Sequence, residues 1–110
     1  MDKSSAVEAL HALAQETRLE VFRLLVRCGN DGMVAGEIAS TLGVRQNTMS
    51  SNLAVLARAG LVRNERNGRE IRYFAEFDGM RALLAYLMED CCGGNPEVCA
   101  PVLDEIACAC

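Results

Sequence analysis

A chain of 110 residues, half of them apolar (51%), is long enough for one domain with a modest core and leaves hydrophobic surface to spare. No apolar run is long enough to span a bilayer and the N-terminus lacks the apolar stretch of a signal peptide, so a cytosolic chain without a membrane partner is expected. The net charge of −4 argues against a nucleic-acid ligand until its distribution is considered, and six cysteines in a reducing compartment point away from a disulfide framework, towards soft-metal or redox chemistry.

Ser5-Ala6-Val7-Glu8 is a capping-box sequence, and Val7, Leu10, Leu13 and Ala14 are the apolar positions of the helix it opens. His11, the one histidine, is read as structural or solvated, so a nitrogen-rich transition-metal site is not expected. A second helix is predicted over Thr17–Cys28. Its Leu19, Val21, Phe22, Leu24, Leu25 and Val26 cover most of the circumference, as in a central buried helix. Cys28 at its end reads as a small buried hydrophobe.

Val34, Ile38 and Leu42, spaced by four, predict a short amphipathic helix, with Gly43 as its left-handed stop. From Arg45 to Val62 a longer helix with two unlike faces is predicted. Met49, Leu53, Leu56 and Gly60 form its buried stripe. The opposite face carries Asn47, Thr48, Ser51, Ala54 and Arg58, with no carboxylate. Alone, a surface helix short of acids would look the same. A short helix, a glycine-containing turn and a second helix make a helix-turn-helix, whose second helix presents its N-terminal residues to base edges in the major groove. Asn and Gln suit adenine, and Arg suits guanine. The candidate contacts to double-stranded operator DNA on this helix are Arg45, Gln46, Asn47, Thr48, Ser50, Ser51 and Arg58.

Asn67-Gly68 between two short runs predicts a tight β-hairpin, because both central residues of such a turn need positive φ. Arg63, Arg66, Arg69 and Arg72 decorate it. A hairpin in this position is a wing, and Arg66, Arg69 and Arg72 are candidates for phosphate or minor-groove contact. A merely solvated hairpin is the alternative. The charge distribution favours the wing. Residues 45–73 hold six arginines against two acids, a local +4, while the remainder has five basic and thirteen acidic residues, −8. Local charge sets phosphate affinity, and the acidic remainder limits indiscriminate binding.

Asp78 is a plausible N-cap for a last long helix, from Gly79 or Met80 to about Asp90. Met80, Leu83, Leu84, Leu87 and Met88 form a wide apolar stripe on it. Either the stripe only covers its own core or, as a two-fold operator favours, it makes a homodimer seam with the first helix. The candidate seam residues are Val7, Leu10, Leu83, Leu84 and Leu87. Composition shifts after Asp90, dividing a DNA-binding and dimerisation domain (1–90) from a cysteine-rich tail (91–110).

The tail has no basic residue and holds five of the six cysteines. Gly93-Gly94-Asn95-Pro96 can turn the chain back, so that Cys99 joins the vicinal pair Cys91 and Cys92. Three thiolates without histidine suit a thiophilic three-coordinate ion better than zinc, which prefers four ligands. Exposed tail thiols without a role are the bland alternative. Cys108 and Cys110 are open between a second dithiol, a spare ligand pair and a disordered end.

The chain resembles the ArsR/SmtB family of bacterial metal-responsive winged-helix repressors. The resemblance lies in E-T-R-L-E-V-F-R-L-L (16–25), G-E-I-A-S-T-L-G-V (36–44), Q-N-T-M-S-S-N-L-A-V-L (46–56), A-G-L-V (59–62) and the hairpin through Arg72-Tyr73. It implies a mainly α winged helix-turn-helix with about five helices and a two-stranded wing. It also implies a homodimer that represses its own resistance operon and leaves the operator when its inducer binds. The family often has Ser where Arg45 stands and His where Asn52 stands, so base preference does not carry over. Residues 34–42 lack the Cys-x-Cys site common in arsenic sensors, and the ligands of zinc and nickel members are missing. What remains resembles the arsenic repressors whose vicinal cysteines end the last helix. Cys91, Cys92 and Cys99 are thereby implied as ligands of As(III), and also of Sb(III).

The expected mechanism is linkage: inducer clamped beside the seam worsens the spacing of two recognition helices. The alternatives are a thiol-redox or persulfide sensor on the same fold, with Cys92 and Cys99 the better redox pair, and a thiol-rich metal-sequestering protein with no operator. An enzyme is not expected, since no histidine–cysteine pair, phosphate loop or carboxylate dyad is present at a plausible spacing.

Overall fold

Six helices and a small three-stranded sheet make up the chain in a computed structural model that describes residues 1–89 and 96–107. The first helix, α1 (Lys3–Leu13), opens on Asp2, whose carboxylate accepts the Ser5 N–H at 2.8 Å. That bond holds the Asp2 carboxyl below the usual carboxylate range, so the cap helps above the ordinary pKa and is lost as pH falls through the lowered one. The predicted capping box at Ser5–Glu8 therefore lies inside the helix. The residues α1 buries are Ala6, Ala9 and Ala12, because small side chains let its axis approach the core. Val7 and Leu10 face out, 59% and 42% exposed.

The second helix, α2 (Glu16–Cys28), is capped by Gln15, whose side-chain oxygen accepts the Arg18 N–H at 2.8 Å. Val21, Phe22, Leu24 and Leu25 are buried, but Leu19 and Val26 are exposed. The helix is central, yet Leu19 and Val26, two of the six residues expected to be covered, form an open flank. Cys28 is half-buried against the core, as a small hydrophobe would be.

After a 3₁₀ turn (Gly29–Asp31) comes β1 (Met33–Val34), a strand too short to show any period in the sequence. The next helix, α3 (Ala35–Leu42), therefore starts one residue after Val34. It ends as predicted, with Gly43 left-handed at φ 65° and the Val44 N–H returning to Ala39 O at 2.9 Å.

Then α4 (Gln46–Arg58) follows, shorter than the predicted Arg45–Val62. Met49, Leu53 and Leu56 are wholly buried, whereas Gly60 lies beyond the helix and is exposed. The wing is β2 (Val62–Asn67) and β3 (Glu70–Ala75), and the antiparallel order is β1-β3-β2. Its register pairs Asn67 with Glu70, so the tight turn is Gly68-Arg69, one residue later than predicted. Gly68, at φ 65°, takes the first turn position, where primed turns require positive φ.

Glu76, not Asp78, caps α5 (Phe77–Leu87), which starts and ends about one turn earlier than predicted. Asp78 lies in the first turn and pairs with Arg81 at 2.7 Å. Gly79 is required here by space, since a Cβ on it would run into the carbonyl oxygen of Gly60. Gly79→Ala should therefore lower the thermal midpoint despite its better helix propensity. Overpacking of about 1–3 kcal/mol shifts the midpoint by roughly 5–15 °C in a domain of this size. A circular-dichroism melt checks this, and an unchanged or higher midpoint would contradict the contact.

The last helix, α6 (Pro96–Ala107), is a sixth where about five are expected, and lies in the stretch read from the sequence only as a cysteine-rich tail. Pro96 suits a first helical position, where no N–H is needed. Cys91, Cys92, Cys108 and Cys110 lie outside the described residues; Cys99 falls in the first turn of α6, its side chain outside the description. The core joins Val21 and Leu25 of α2, Ile38 of α3, Met49, Leu53 and Leu56 of α4, Leu61, and Leu83 of α5. It holds α3 and α4 as one block under the sheet.

Candidate nucleic-acid interface

The outward face of α4 is built from what its inner face excludes. With Met49, Leu53 and Leu56 turned into the core, the helical period leaves Gln46, Asn47, Thr48, Ser50, Ser51, Ala54 and Arg58 exposed, together with the N-cap Arg45. The first turn contains no acid and the cap residue makes no side-chain capping bond. That end of the helix is electropositive through its dipole and its free N–H groups. Asn47 Oδ1 accepts the Thr48 N–H at 2.9 Å. The Ser50 and Ser51 hydroxyls donate to the carbonyls of Gln46 (3.0 Å) and Asn47 (3.3 Å), which leaves their lone pairs free as acceptors. The surface presents amides, hydroxyls and two guanidinium groups without a carboxylate.

Asn52, noted in the sequence only as standing where the family often has His, is a site residue that was not among the candidate contacts. It lies on the inner face of α4, 8% exposed, and its Oδ1 accepts from Arg18 Nη1 at 3.4 Å. Arg18 also donates through Nε to Ala12 O at 2.6 Å and through Nη2 to His11 O at 3.5 Å. The signal for it was an amide set among Met49, Leu53 and Leu56 in the apolar stripe, where a polar group needs a partner. Removing Arg18 would leave a buried acceptor unsatisfied, at a cost of about 1–3 kcal/mol.

The four wing arginines divide by position. Arg63 lies over the Phe74 ring, 4.3 Å from its centroid, and near the carboxylates of Glu65 (3.6 Å) and Glu76 (4.0 Å). Arg72 is half-buried, faces Glu65 across the strands, and donates to Asp31 O at 3.0 Å. That bond braces the wing against the turn before β1, a structural task the sequence did not foresee for it. Arg66 and Arg69, near and in the turn, are exposed and make no ion pair or side-chain hydrogen bond among the described residues. These two are the guanidinium groups left for an external anion.

The candidate seam is narrower than predicted. Val7 and Leu10 on α1 and Leu84 (41%) and Leu87 (49%) on α5 are exposed, and the two helices touch. Leu83, predicted with them, is 2% exposed and belongs to the protomer's own core, since each helical residue is turned about 100° from the next. Among the described residues no group of three or more His, Cys, Asp or Glu side chains is arranged to hold a metal ion. No helix among them is long and apolar enough to cross a membrane.

A family model described as a helix-turn-helix domain matches residues 13–65, from the end of α1 into β2. The chain is 31% identical over 97 residues to the transcriptional activator HlyU of Vibrio cholerae, spanning 86% of this chain and 87% of HlyU. A solved structure of reduced HlyU superposes with a TM-score of 0.63 at 29% identity, over 81% of this chain and 90% of that one. The "Putative arsenical resistance operon repressor ArsR2" of Halobacterium salinarum is 32% identical over 91 residues, 83% of this chain and 73% of the relative. The homodimeric winged helix-turn-helix DNA-binding domain Mb0332 of Mycobacterium bovis has a TM-score of 0.65 at 28% identity, covering 79% of this chain and 81% of that chain.

Proposed function

Since the chain belongs to the ArsR/SmtB family of winged-helix transcriptional regulators, we propose that it is a homodimeric repressor that binds operator DNA and is released by As(III), with Sb(III) as a second inducer. The outward face of α4 reads bases in the major groove, and Arg66 and Arg69 grip phosphate or the minor groove beside it. The exposed leucines of α1 and α5 pack across a two-fold axis, which sets the two copies of α4 about one helical turn of DNA apart.

The observation that carries the inducer assignment is a donor set placed next to the seam in sequence. Cys91 and Cys92 follow Leu87 of α5 by four and five residues, and Cys99 lies in the first turn of α6. Three thiols and no histidine suit arsenite, which exchanges its three hydroxyls for three sulfurs and releases three waters. The relation to an arsenical resistance operon repressor supports the same ion. Closing that ring of sulfurs draws α6 towards the end of α5, and a seam repacked in this way holds the reading helices at a worse spacing. The free energy available is the inducer's differential affinity for the two states, and about 2–3 kcal/mol gives a switch of roughly 30- to 150-fold.

Arsenite titration followed by thiolate absorption and a free-thiol count tests the donor set. The expected result is one arsenic per protomer and three thiols lost. Retention of full binding in a protein with Cys91, Cys92 and Cys99 all changed to Ser would overturn it. The similarity to HlyU, solved in a form described as reduced, favours a second reading in which Cys92 and Cys99 form a redox pair. Mass spectrometry after mild oxidant separates the two, because only the redox reading requires a Cys92–Cys99 disulfide.

The wing assignment has its own consequence. Arg69→Ala should weaken binding to every duplex alike and lower the slope of log affinity against log salt by about 1. A change confined to base preference would show that Arg69 reads sequence instead.

A further inference from the structure

Three acceptors from two helices converge on the Arg18 guanidinium. Ala12 O and His11 O belong to the last turn of α1, and Asn52 Oδ1 belongs to α4. Both carbonyls lie at the C-terminal end of α1, where a cation is favoured; His11 O also accepts the Ala14 N–H at 3.2 Å. Asn52 is the one buried polar side chain among the described residues. Its neighbours on α4, Ser51 and Thr48, lie on the outward face. Any rotation of α4 about its axis that re-aims Ser51 also swings Asn52 away from Arg18, because the two are fixed about 100° apart. At the other end of the link, α1 carries the exposed Val7 and Leu10.

We infer that Arg18 is a positioning residue for operator recognition: it ties the rotation of α4 to the seam helix α1, so the separation and facing of the two reading helices follow the packing of the seam. The inference rests on the DNA-binding reading above and names the side chain through which seam geometry reaches the bases. A planar fork of donors is needed for this, since a lysine ammonium at the same place is a point donor that cannot span the three acceptors.

The test uses the full-length dimer and a duplex that the unaltered chain selects from a randomised pool, together with versions whose half-sites are moved apart or together by one base pair. The unaltered chain should lose about tenfold in affinity for each displaced version, because its reading helices are held at one separation. Arg18→Lys should flatten that preference to within about threefold while sedimentation shows an unchanged dimer. Arg18→Lys binding more weakly but with the original spacing preference would show only a folding role and overturn the inference. If Arg18→Lys does not fold, Asn52→Ala removes the same link from the α4 side and is read against the same two outcomes. A chain that selects no duplex at all overturns the DNA-binding reading, and this link with it, a result unlike a retained spacing preference.

Discussion

Changing Cys92 to Ser should leave operator binding within about twofold of the original and cut the arsenite response from roughly 30- to 150-fold to less than about threefold. Cys92 lies beyond α5 and away in sequence from the outward face of α4 and the wing, so DNA contact itself should not depend on it. The response should depend on it strongly, because a three-coordinate thiophilic ion held by two sulfurs loses a covalent ligand and exchanges with solvent. Cys91→Ser and Cys99→Ser should behave alike, since the three sulfurs act as one unit. Fluorescence anisotropy of a labelled operator with and without arsenite measures all three. A full response in Cys92→Ser would move the inducer site to other thiols of the tail.

The second large effect concerns the seam. Leu87→Glu should convert the dimer to a monomer and lower operator affinity by more than about 100-fold, as half of the contacts are lost. Leu87 is 49% exposed in the protomer, on α5 with the exposed Leu84, and α5 touches α1, which carries the exposed Val7 and Leu10. A carboxylate there leaves the protomer's core untouched but would have to be desolvated in the seam, near its symmetry mate. Leu83→Glu makes a useful contrast, because Leu83 is buried within the protomer and its change should unfold the chain rather than separate two folded copies. Sedimentation velocity with circular dichroism distinguishes these cases. A folded, dimeric Leu87→Glu protein would place the seam elsewhere.

What the sequence made legible follows from where its signals are strong. The stripe Met49–Leu53–Leu56, the left-handed Gly43 and the paired runs around Asn67-Gly68 each reflect one physical requirement, and the helix pair and wing stand where these place them. Boundaries were weaker because caps compete locally. Asp2 outcompetes Ser5 for the start of α1, and Glu76 outcompetes Asp78 for the start of α5, by offering a carboxylate to backbone N–H groups from positions three and two residues earlier. The strand at Met33–Val34 was hidden because its pairing with Tyr73 and Arg72 is a long-range fact. The helix at Pro96–Ala107 was masked by the glycines and prolines around it, although Val98, Val102 and Ile106 repeat at four. Within the site, residue types identified the exposed face of α4. They did not reveal that Arg72 is engaged with Asp31, nor that Asn52 faces inward to Arg18, because both depend on which elements pack together.

The most direct measurement is a single titration that reads occupancy and release together. Arsenite is added to the dimer on its labelled operator while thiolate–arsenic absorption and operator anisotropy are recorded in the same cuvette. Release that rises in step with occupancy and is complete near one arsenic per protomer is the expected result. A protein–DNA complex that stays intact once the arsenic sites are full would contradict the account.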